Sequence, residues 1–518
     1  LVVVAQVLQC QFIGKFAWHL SKGAFNEADN TMRCYLLTVI SFAVQVHTQE
    51  FVGTTISLRA TTTRPASPAT WRASSPHGSA SKSLTRRHQV FLGLDVTESS
   101  ARSLREASLH RMRAKSQMLH ALQYYGEVAV GTPLQRFTVI FDTGSGHLLL
   151  PSAQCDSPAC SRHKRFLAKN SSTAIPVGWA DEPRKRAEDE TDRDTKVINF
   201  ASGDAVGQFT RDRVCLGGSK MFCADADFVE MTEESDNPFK DAEWDGVLGL
   251  GQSISDAPEF NIFGVLADDA LPKMHQPVFA VYLGRHIEDD AEITFGDVRK
   301  ERMASPFTWV NVSEEGYWQF QFTDFTVNGK TTGLCKKYGR RECQAVLDTG
   351  SSLMMGPQAD LDQLLTLLNF GNNTQKNCSQ ADKFPKLGFV IDGKKFEMEP
   401  DDYMDRSRDP TLPPHMESCW AHLMPIGDTG RGPIVVLGMP FLRAFYTAYN
   451  VRQKKIGIAV ANHTGRQAPF NNDTANLDLI AVRPGGDDVG GNTSELSNRA
   501  ALAKRHAASA AAKAGKSS

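Results

Sequence analysis

Residues 137–145 read Phe-Thr-Val-Ile-Phe-Asp-Thr-Gly-Ser, and residues 343–351 read Cys-Gln-Ala-Val-Leu-Asp-Thr-Gly-Ser. Each stretch is an apolar run ending in the same tetrapeptide, at Asp142–Ser145 and at Asp348–Ser351. An apolar run followed by Asp and Gly reads as a buried strand that ends in a tight turn. Two copies read as one structural unit used twice, each delivering a carboxylate at a strand end.

The repeat extends downstream. Val247-Leu248-Gly249 follows the first tetrapeptide, and Val436-Leu437-Gly438 follows the second. Two diverged β units facing each other account for this spacing and bring both aspartates into a cleft between lobes, where ligand sites commonly lie. A third Asp-Thr-Gly, at Asp428-Thr429-Gly430, follows Pro425-Ile426-Gly427 instead of an apolar strand. It reads as a turn, so the tripeptide alone is a poor signal.

The residue types suit the placement. Gly144 and Gly350 permit a tight turn and a close backbone approach. The hydroxyls of Thr143 and Thr349 can tie the two turns together, and Ser145 and Ser351 can bond the carboxylates or nearby backbone. Two carboxylates about 3 Å apart resist double ionisation, so they share a proton over the working pH range. The ionised member then draws a proton from a bound water, which attacks a peptide carbonyl, while the neutral member protonates or bonds its oxygen. This chemistry needs no metal and no other cofactor. The competing reading, two unrelated Asp-Gly turns in a structural β protein, leaves the matched strands and glycine elements unexplained.

The chain has 518 residues and a formal net charge of −2. That charge is unevenly spread: residues 51–120 hold 11 Lys/Arg against 3 Asp/Glu, and the remainder from 121 is net −10. A basic leader ahead of an acidic body suggests electrostatic docking of one on the other, and nothing in the pattern points to nucleic acid. Met32-Arg33 and the apolar run Cys34–Val46 have the layout of a signal peptide, too short for a good membrane span. We therefore expect upstream read-through over 1–31, a signal peptide over 32–49, a basic propeptide over 50–120, lobes over 121–300 and 301–461, and a disordered tail over 462–518. Residues 47–90, rich in Ser, Thr, Ala, Pro and Arg, read as disordered. From Tyr124 short strands dominate, with helices expected only around Phe260–Ala267 and Asp360–Asn369. The charged stretch Asp181–Asp194 reads as an exposed inserted loop.

Ten cysteines fit a secreted route. Eight of them suggest local pairs: Cys155/Cys160, Cys215/Cys223, Cys335/Cys343 and the longer Cys378/Cys419. Zinc is the weaker alternative, since no CxxC occurs and His163 lacks a partner set. Sequons at Asn170, Asn311, Asn372, Asn377, Asn462, Asn472 and Asn492 agree with secretion.

Read together, YYGEVAVGTPLQRFTVIFDTGSG, EWDGVLGLG, EEGYWQF, QAVLDTGSSLMMGP and PIVVLGMPFLRAFYTAYN resemble, in order, segments of the pepsin-like aspartic endopeptidases. The likeness runs from about Tyr124 to Val460. It implies a mostly β, bilobal acid protease fold with an active-site cleft between two related lobes and a hairpin flap. It implies that Cys155/Cys160, Cys335/Cys343 and Cys378/Cys419 are the family's disulfides, with Cys215/Cys223 an extra one on a hairpin. A propeptide that blocks the cleft, peptide substrates, a monomer, and an extracellular or acidic endolysosomal or vacuole-like compartment follow from the same likeness. The alternative within it is an impaired, peptide-binding relative.

The departures from the family pattern are specific. The flap falls at Val197–Gln208, where the family's tyrosine and glycine positions are Phe200 and Ala201, and the position of its tryptophan partner is Leu149. A buried hydroxyl without its partner is costly, so the paired loss substitutes an apolar contact for a hydrogen bond. Phe200, Ser202, Gly203, Asp204, Trp244, Leu149 and Ser352 are the expected substrate-binding residues, with a preference for large apolar side chains beside the scissile bond. His147, in the place of a common Asn, is expected to face solvent.

Overall fold

The computed structural model describes residues 53–63, 90–91, 121–177, 187, 193, 195–200, 203–217, 221–252, 258–269, 274, 276–286, 288–341, 343–371, 375–377, 383–407, 418–426 and 432–463. The expected read-through and signal segments, most of the basic leader and nearly all of the tail lie outside these residues.

Strand β1 (Thr54–Thr63) is followed by β2 (Ala121–Val130), β3 (Gln135–Asp142), β4 (Leu148–Pro151), β5 (Thr195–Asn199), β6 (Asp204–Leu216), β7 (Phe222–Glu234) and β8 (Gly246–Gly249). Their order in the sheet is β1-β2-β3-β8-β4-β7-β6-β5. The key crossing is β8. It runs parallel to β3, with Phe141 opposite Leu248 and Asp142 opposite Gly249, and antiparallel to β4, with Leu149 opposite Val247. Residues Val139–Phe141 and Leu148–Leu150 are buried on both faces, as expected of a central strand with an unbroken apolar run.

Strands β9 (Val278–Tyr282) and β10 (Ala291–Phe295) carry the sheet onward. The second half repeats the key crossing with β11 (Gln319–Phe322), β12 (Cys343–Leu347), β13 (Met354–Pro357), β14 (Leu423–Ile426) and β15 (Ile434–Leu437), in the order β11-β12-β15-β13-β14. Strand β15 runs parallel to β12, with Leu347 opposite Leu437, and antiparallel to β13, with Met355 opposite Val436. The two apolar-apolar-Gly elements are thus the same strand in two copies of one unit. Strands β16 (Phe445–Asn450) and β17 (Lys455–Val460) return to pair with β9, joining the halves in the sheet β17-β16-β9-β10-β1-β2. Helices stand at Ile262–Asp269 and Gln358–Leu367, close to where the sequence places them.

Strand β1 corrects the expectation of disorder over residues 47–90. It pairs with β10 through Thr54–Leu58 and with β2 through Arg59–Thr63. Ile56 and Leu58 enter the main core, while Ser57 and Arg59 face outward. The period-two alternation in Thr-Ile-Ser-Leu-Arg is a strand pattern that the Ser- and Pro-rich stretch following it conceals. Gly126 accommodates it: a Cβ there would stand 2.8 Å from Ile56 Cγ2 and 3.0 Å from Leu58 Cδ2.

Three expected disulfides are formed: Cys155–Cys160, Cys215–Cys223 and Cys335–Cys343. Cys419 is also disulfide-bonded, and Cys378 lies outside the described residues. In the charged insert only Ala187 and Arg193 are described; Ala187 is buried and only 5 % of the Arg193 side chain is exposed. Arg193 donates to the carbonyl of Phe209 and the hydroxyl of Thr210 beside buried Glu230. Asn462, one of the sequons, is likewise buried, its amide donating to the carbonyl of Glu301 at 2.9 Å. Among the described residues no helix is long and apolar enough to cross a membrane.

Candidate active site

The two Asp-Thr-Gly turns meet and brace each other. The amide of Thr143 donates to Thr349 Oγ1 at 2.9 Å, and the amide of Thr349 donates to Thr143 Oγ1 at 3.0 Å. Each hydroxyl in turn donates across to the strand preceding the other turn, Thr143 to the Leu347 carbonyl at 2.9 Å and Thr349 to the Phe141 carbonyl at 2.5 Å. Both threonines are buried, so these polar groups find their partners in one another and in the facing strands. The sequence predicts this tie.

The aspartates sit in matching cradles. Gly144 N–H donates to Asp142 Oδ1 at 2.9 Å, and Gly350 N–H donates to Asp348 Oδ1 at 2.8 Å. Each glycine also faces the opposite carboxyl. A Cβ on Gly144 would stand 2.7 Å from Asp348 Oδ1, and one on Gly350 would stand 2.4 Å from Asp142 Oδ1. No side chain fits at either position, which is the close approach the tetrapeptides imply. The downstream glycines seat the turns from behind: a Cβ on Gly249 would strike the His147 amide nitrogen, and one on Gly438 the Ser351 and Leu353 carbonyls.

The two halves differ in one respect. Ser351 Oγ donates to Asp348 Oδ2 at 2.5 Å. Ser145 lies beside Asp142, but its buried hydroxyl is outside hydrogen-bonding geometry. Burial first, and then the charge of Asp348, push the Asp142 carboxyl well above the usual carboxylate range. The Asp348 carboxyl is close enough to act by hydrogen bond as well as by charge. Two buried carboxyls this close resist double ionisation, which is the arrangement that shares a single proton.

Beneath the turns, buried Trp318 donates its indole N–H to the Leu250 carbonyl at 2.8 Å, linking the two halves of the chain. Tyr449 packs against Trp318 at 5.1 Å and stacks on Phe279 at 4.6 Å.

Strands β5 and β6 form the expected flap hairpin, with Asn199 opposite Asp204. Its tip is closed by the Phe200 amide donating to the Gly203 carbonyl at 2.6 Å; Ala201 and Ser202 lie outside the described residues. Gly203 presses against the Asn237 carbonyl and Ser235 Oγ, with no space for a Cβ. The Asp204 backbone is taken up by Ser235: its amide donates to Ser235 Oγ at 3.0 Å and its carbonyl accepts the Ser235 amide at 2.9 Å. Its carboxylate is left exposed.

Leu149, Ile198 and Trp244 are buried in one apolar cluster, against which Phe200 is packed. Phe200 meets Phe239 edge-on at 5.1 Å, and Phe239 meets Trp244 edge-on at 5.9 Å. The Trp244 indole donates to Gln123 Oε1 at 3.0 Å. Phe239 is the aromatic that sequence reasoning misses; it ends a four-residue, kinked helical turn, Asp236–Phe239, too short to carry a periodic signal. The carbonyl of Phe239 is held by His163 Nε2 at 2.7 Å. Half-buried Ser352 follows the second turn. His147 departs from expectation. Its ring packs 5.3 Å from Phe260 instead of facing solvent, and burial pulls its pKa down to about 4. The third Asp-Thr-Gly lies outside the described residues.

Two facing copies of one β unit, each presenting an aspartate in a threonine-braced turn, define a two-lobed acid peptidase. Residues 123–461 match the family model described as eukaryotic aspartyl protease. Among curated proteins the chain is 30% identical to cathepsin E-B of Xenopus laevis over 65% of this chain and 79% of that one. It is 30% identical to pepsin A of Bos taurus over 73% of this chain and 93% of that one. Gastricsin of Rattus norvegicus is also 30% identical, over 65% and 81% respectively. The chain belongs to the eukaryotic aspartyl protease family and is an aspartic-type endopeptidase.

Proposed function

We propose that Asp142 and Asp348 are the catalytic pair of an endopeptidase that acts in acid and is made as a zymogen. The observation that supports this most directly is the reciprocal cradle, in which each turn's glycine gives way to the other turn's carboxyl. The pair holds one proton. The ionised carboxylate takes a proton from water bound between them, and that water attacks the scissile carbonyl. The neutral carboxyl gives its proton to the carbonyl oxygen; as the C–N bond breaks, the leaving amine takes the proton that the other carboxyl drew from water, and a gem-diol hydroxyl returns a proton to the first. Burial of Asp142, with the charge of Asp348 beside it, favours a proton within the pair. Because the Asp142 pKa is raised, the singly protonated pair persists as pH climbs from acid, and activity is lost once the second proton leaves. The intact braces argue against an impaired, peptide-binding relative.

The Phe200, Leu149 and Trp244 surface favours a large apolar substrate side chain next to the scissile bond. The basic leader serves as an intramolecular inhibitor of the acidic body, and the disulfides support a secretory route to an extracellular or acidic compartment. Acidifying the purified full chain tests the whole reading. The leader is expected to be lost and a denatured protein substrate cut between roughly pH 3 and 6, with both events abolished in Asp142→Asn and Asp348→Asn. Folded protein that cuts nothing in that range, or an Asn variant with normal turnover, would sink it.

A further inference from the structure

The end of strand β7 carries a carboxyl that the catalytic pair does not use. Glu234 closes β7 opposite Ala205 of β6, and Ala205 stands opposite Ile198 of β5. Directly paired residues share one face of a sheet, and Ala205 and Ile198 pack in the cluster that holds Leu149 and Trp244, so Glu234 lies on that face. It is 6 % exposed, and neither of its carboxyl oxygens has a hydrogen-bond partner. The next residue, Ser235, clasps the flap. Its Oγ accepts the Asp204 amide at 3.0 Å, and its own amide donates to the Asp204 carbonyl at 2.9 Å. Its hydroxyl donates to the Asn237 carbonyl at 2.7 Å, and that carbonyl and Ser235 Oγ leave Gly203 no space for a Cβ. The clasp has little slack, and one peptide bond separates it from Glu234.

The described charged groups around Glu234 do not favour an anion there. Asp245 acts on it by charge, and Asp245 is already held: Oδ2 accepts the Thr138 amide and hydroxyl, Oδ1 accepts the Lys164 amide, and His163 Nδ1 stands 4.0 Å away. Lys196, two residues before Ile198 on the same face of β5, stands opposite Gly207 and forms no ion pair with Glu234. In the segment that follows, Lys240 pairs with Asp236, Arg162 pairs with Asp241, and Glu243 accepts the Tyr125 hydroxyl. Glu233 is exposed. A neutral carboxyl is tolerated in this setting and a charged one is not. Burial first, then the charge of Asp245, push the Glu234 pKa up to about 8. We propose that neutral Glu234 is a positioning residue for the flap, which stays clasped in acid and is released as the pH rises toward neutral. This rests on the peptidase reading and gives that enzyme a second acid requirement besides its catalytic pair. The clasped form keeps a proton that the released form gives to solvent above about pH 4.5, so each further pH unit favours release by at most about tenfold.

The test is amide hydrogen exchange on the full-length Asp142→Asn protein at pH 5 and pH 7.5, corrected for the intrinsic exchange rate. The Asp204 and Ser235 amides are expected to lose about 100-fold in protection over that range. They should exchange ahead of the Thr143 and Thr349 amides and be insensitive to low urea, the mark of local opening. Adding Glu234→Gln should keep the flap amides protected at both pH values. Ser235→Ala, which leaves the carboxyl in place, should raise exchange at the Asp204 amide about fivefold at pH 5, the loss of one hydrogen bond. Flap protection that falls equally with Glu234 and with Gln overturns the proposal. Flap amides that respond to urea and pH in step with Thr143 and Thr349 also overturn it, because the opening is then global. If the Gln variant does not fold, Ser235→Ala decides: an Asp204 amide as protected as in the parent at pH 5 overturns the clasp. Exchange is read without turnover, so a protein that cuts no peptide fails the peptidase reading in the cleavage assay and leaves the exchange result to be judged by itself.

Discussion

Replacing Gly350 with alanine should stop turnover without unfolding the protein. The new Cβ would stand 2.4 Å from Asp142 Oδ1, 2.8 Å from its Cγ and 3.3 Å from Asp348 Oδ1. Ordinary contact begins near 3.4 Å, so the Asp142 carboxylate has to retreat by about 1 Å. It has little freedom to do so, being buried and held by the Gly144 amide. A misplacement of about 1 Å at reacting groups costs about 100-fold in rate, or about 2.7 kcal/mol of activation free energy. The assay is kcat on a quenched peptide at pH 5, with a thermal melt of each variant. Gly146→Ala is the control, because a Cβ there meets nothing within 4 Å although it lies next to the same motif. Gly350→Ala should lose about 100-fold in kcat, and Gly146→Ala should lose little. A folded Gly350→Ala enzyme within a few-fold of wild type would refute the reasoning, since the cradle would then be slack.

Ile56→Ala should cost about 2–4 kcal/mol in denaturant unfolding, whereas exposed Ser57→Ala should cost almost nothing; equal effects would deny β1 its place in the core. Glu234 is buried with both carboxylate oxygens unpartnered, and burial first, then the charge of Asp245, push its pKa up to about 8. The folded state therefore holds a proton that the unfolded state releases near pH 4.5, so stability falls as pH rises from there to about 8. Glu234→Gln should remove that fall, and thermal melts at pH 4.5 and 7.5 would expose the error if the variant lost as much as wild type. In a glycosylating host, Asn170→Gln should remove one glycan and Asn462→Gln none, because the Asn462 side chain is buried against Glu301; a mass shift with Asn462→Gln would contradict the packing.

The site was largely legible in the chain because its signal is local and repeated. An apolar strand, a tetrapeptide turn and a later glycine strand can each be read within a few residues. Their recurrence excludes chance, and each proves to be a parallel neighbour of the strand that delivers its aspartate. Other features were hidden for reasons that are equally physical. Strand β1 has a short alternating pattern next to a disorder-prone composition, and it becomes a strand only because β10 and β2 offer it two edges. His147 looks like any polar residue in a turn until Phe260, 113 positions away, covers it. Phe239 has no periodicity to announce it and joins the flap surface from a short helical turn, its carbonyl held by His163.

By itself, the sequence determined the duplicated unit, the pair of aspartates and the roles of the residues flanking them. Those depend on residue types at short spacings, where backbone geometry leaves few choices. It also pointed to Phe200 and Leu149, which the structure gathers in one apolar cluster. Only the tertiary structure decided the asymmetry between Ser145 and Ser351, the burial of Glu234 and Asn462, and the packing of His147 against Phe260. Those depend on which distant strands close over a side chain and remove its water, and burial of that kind is a property of the whole packed chain.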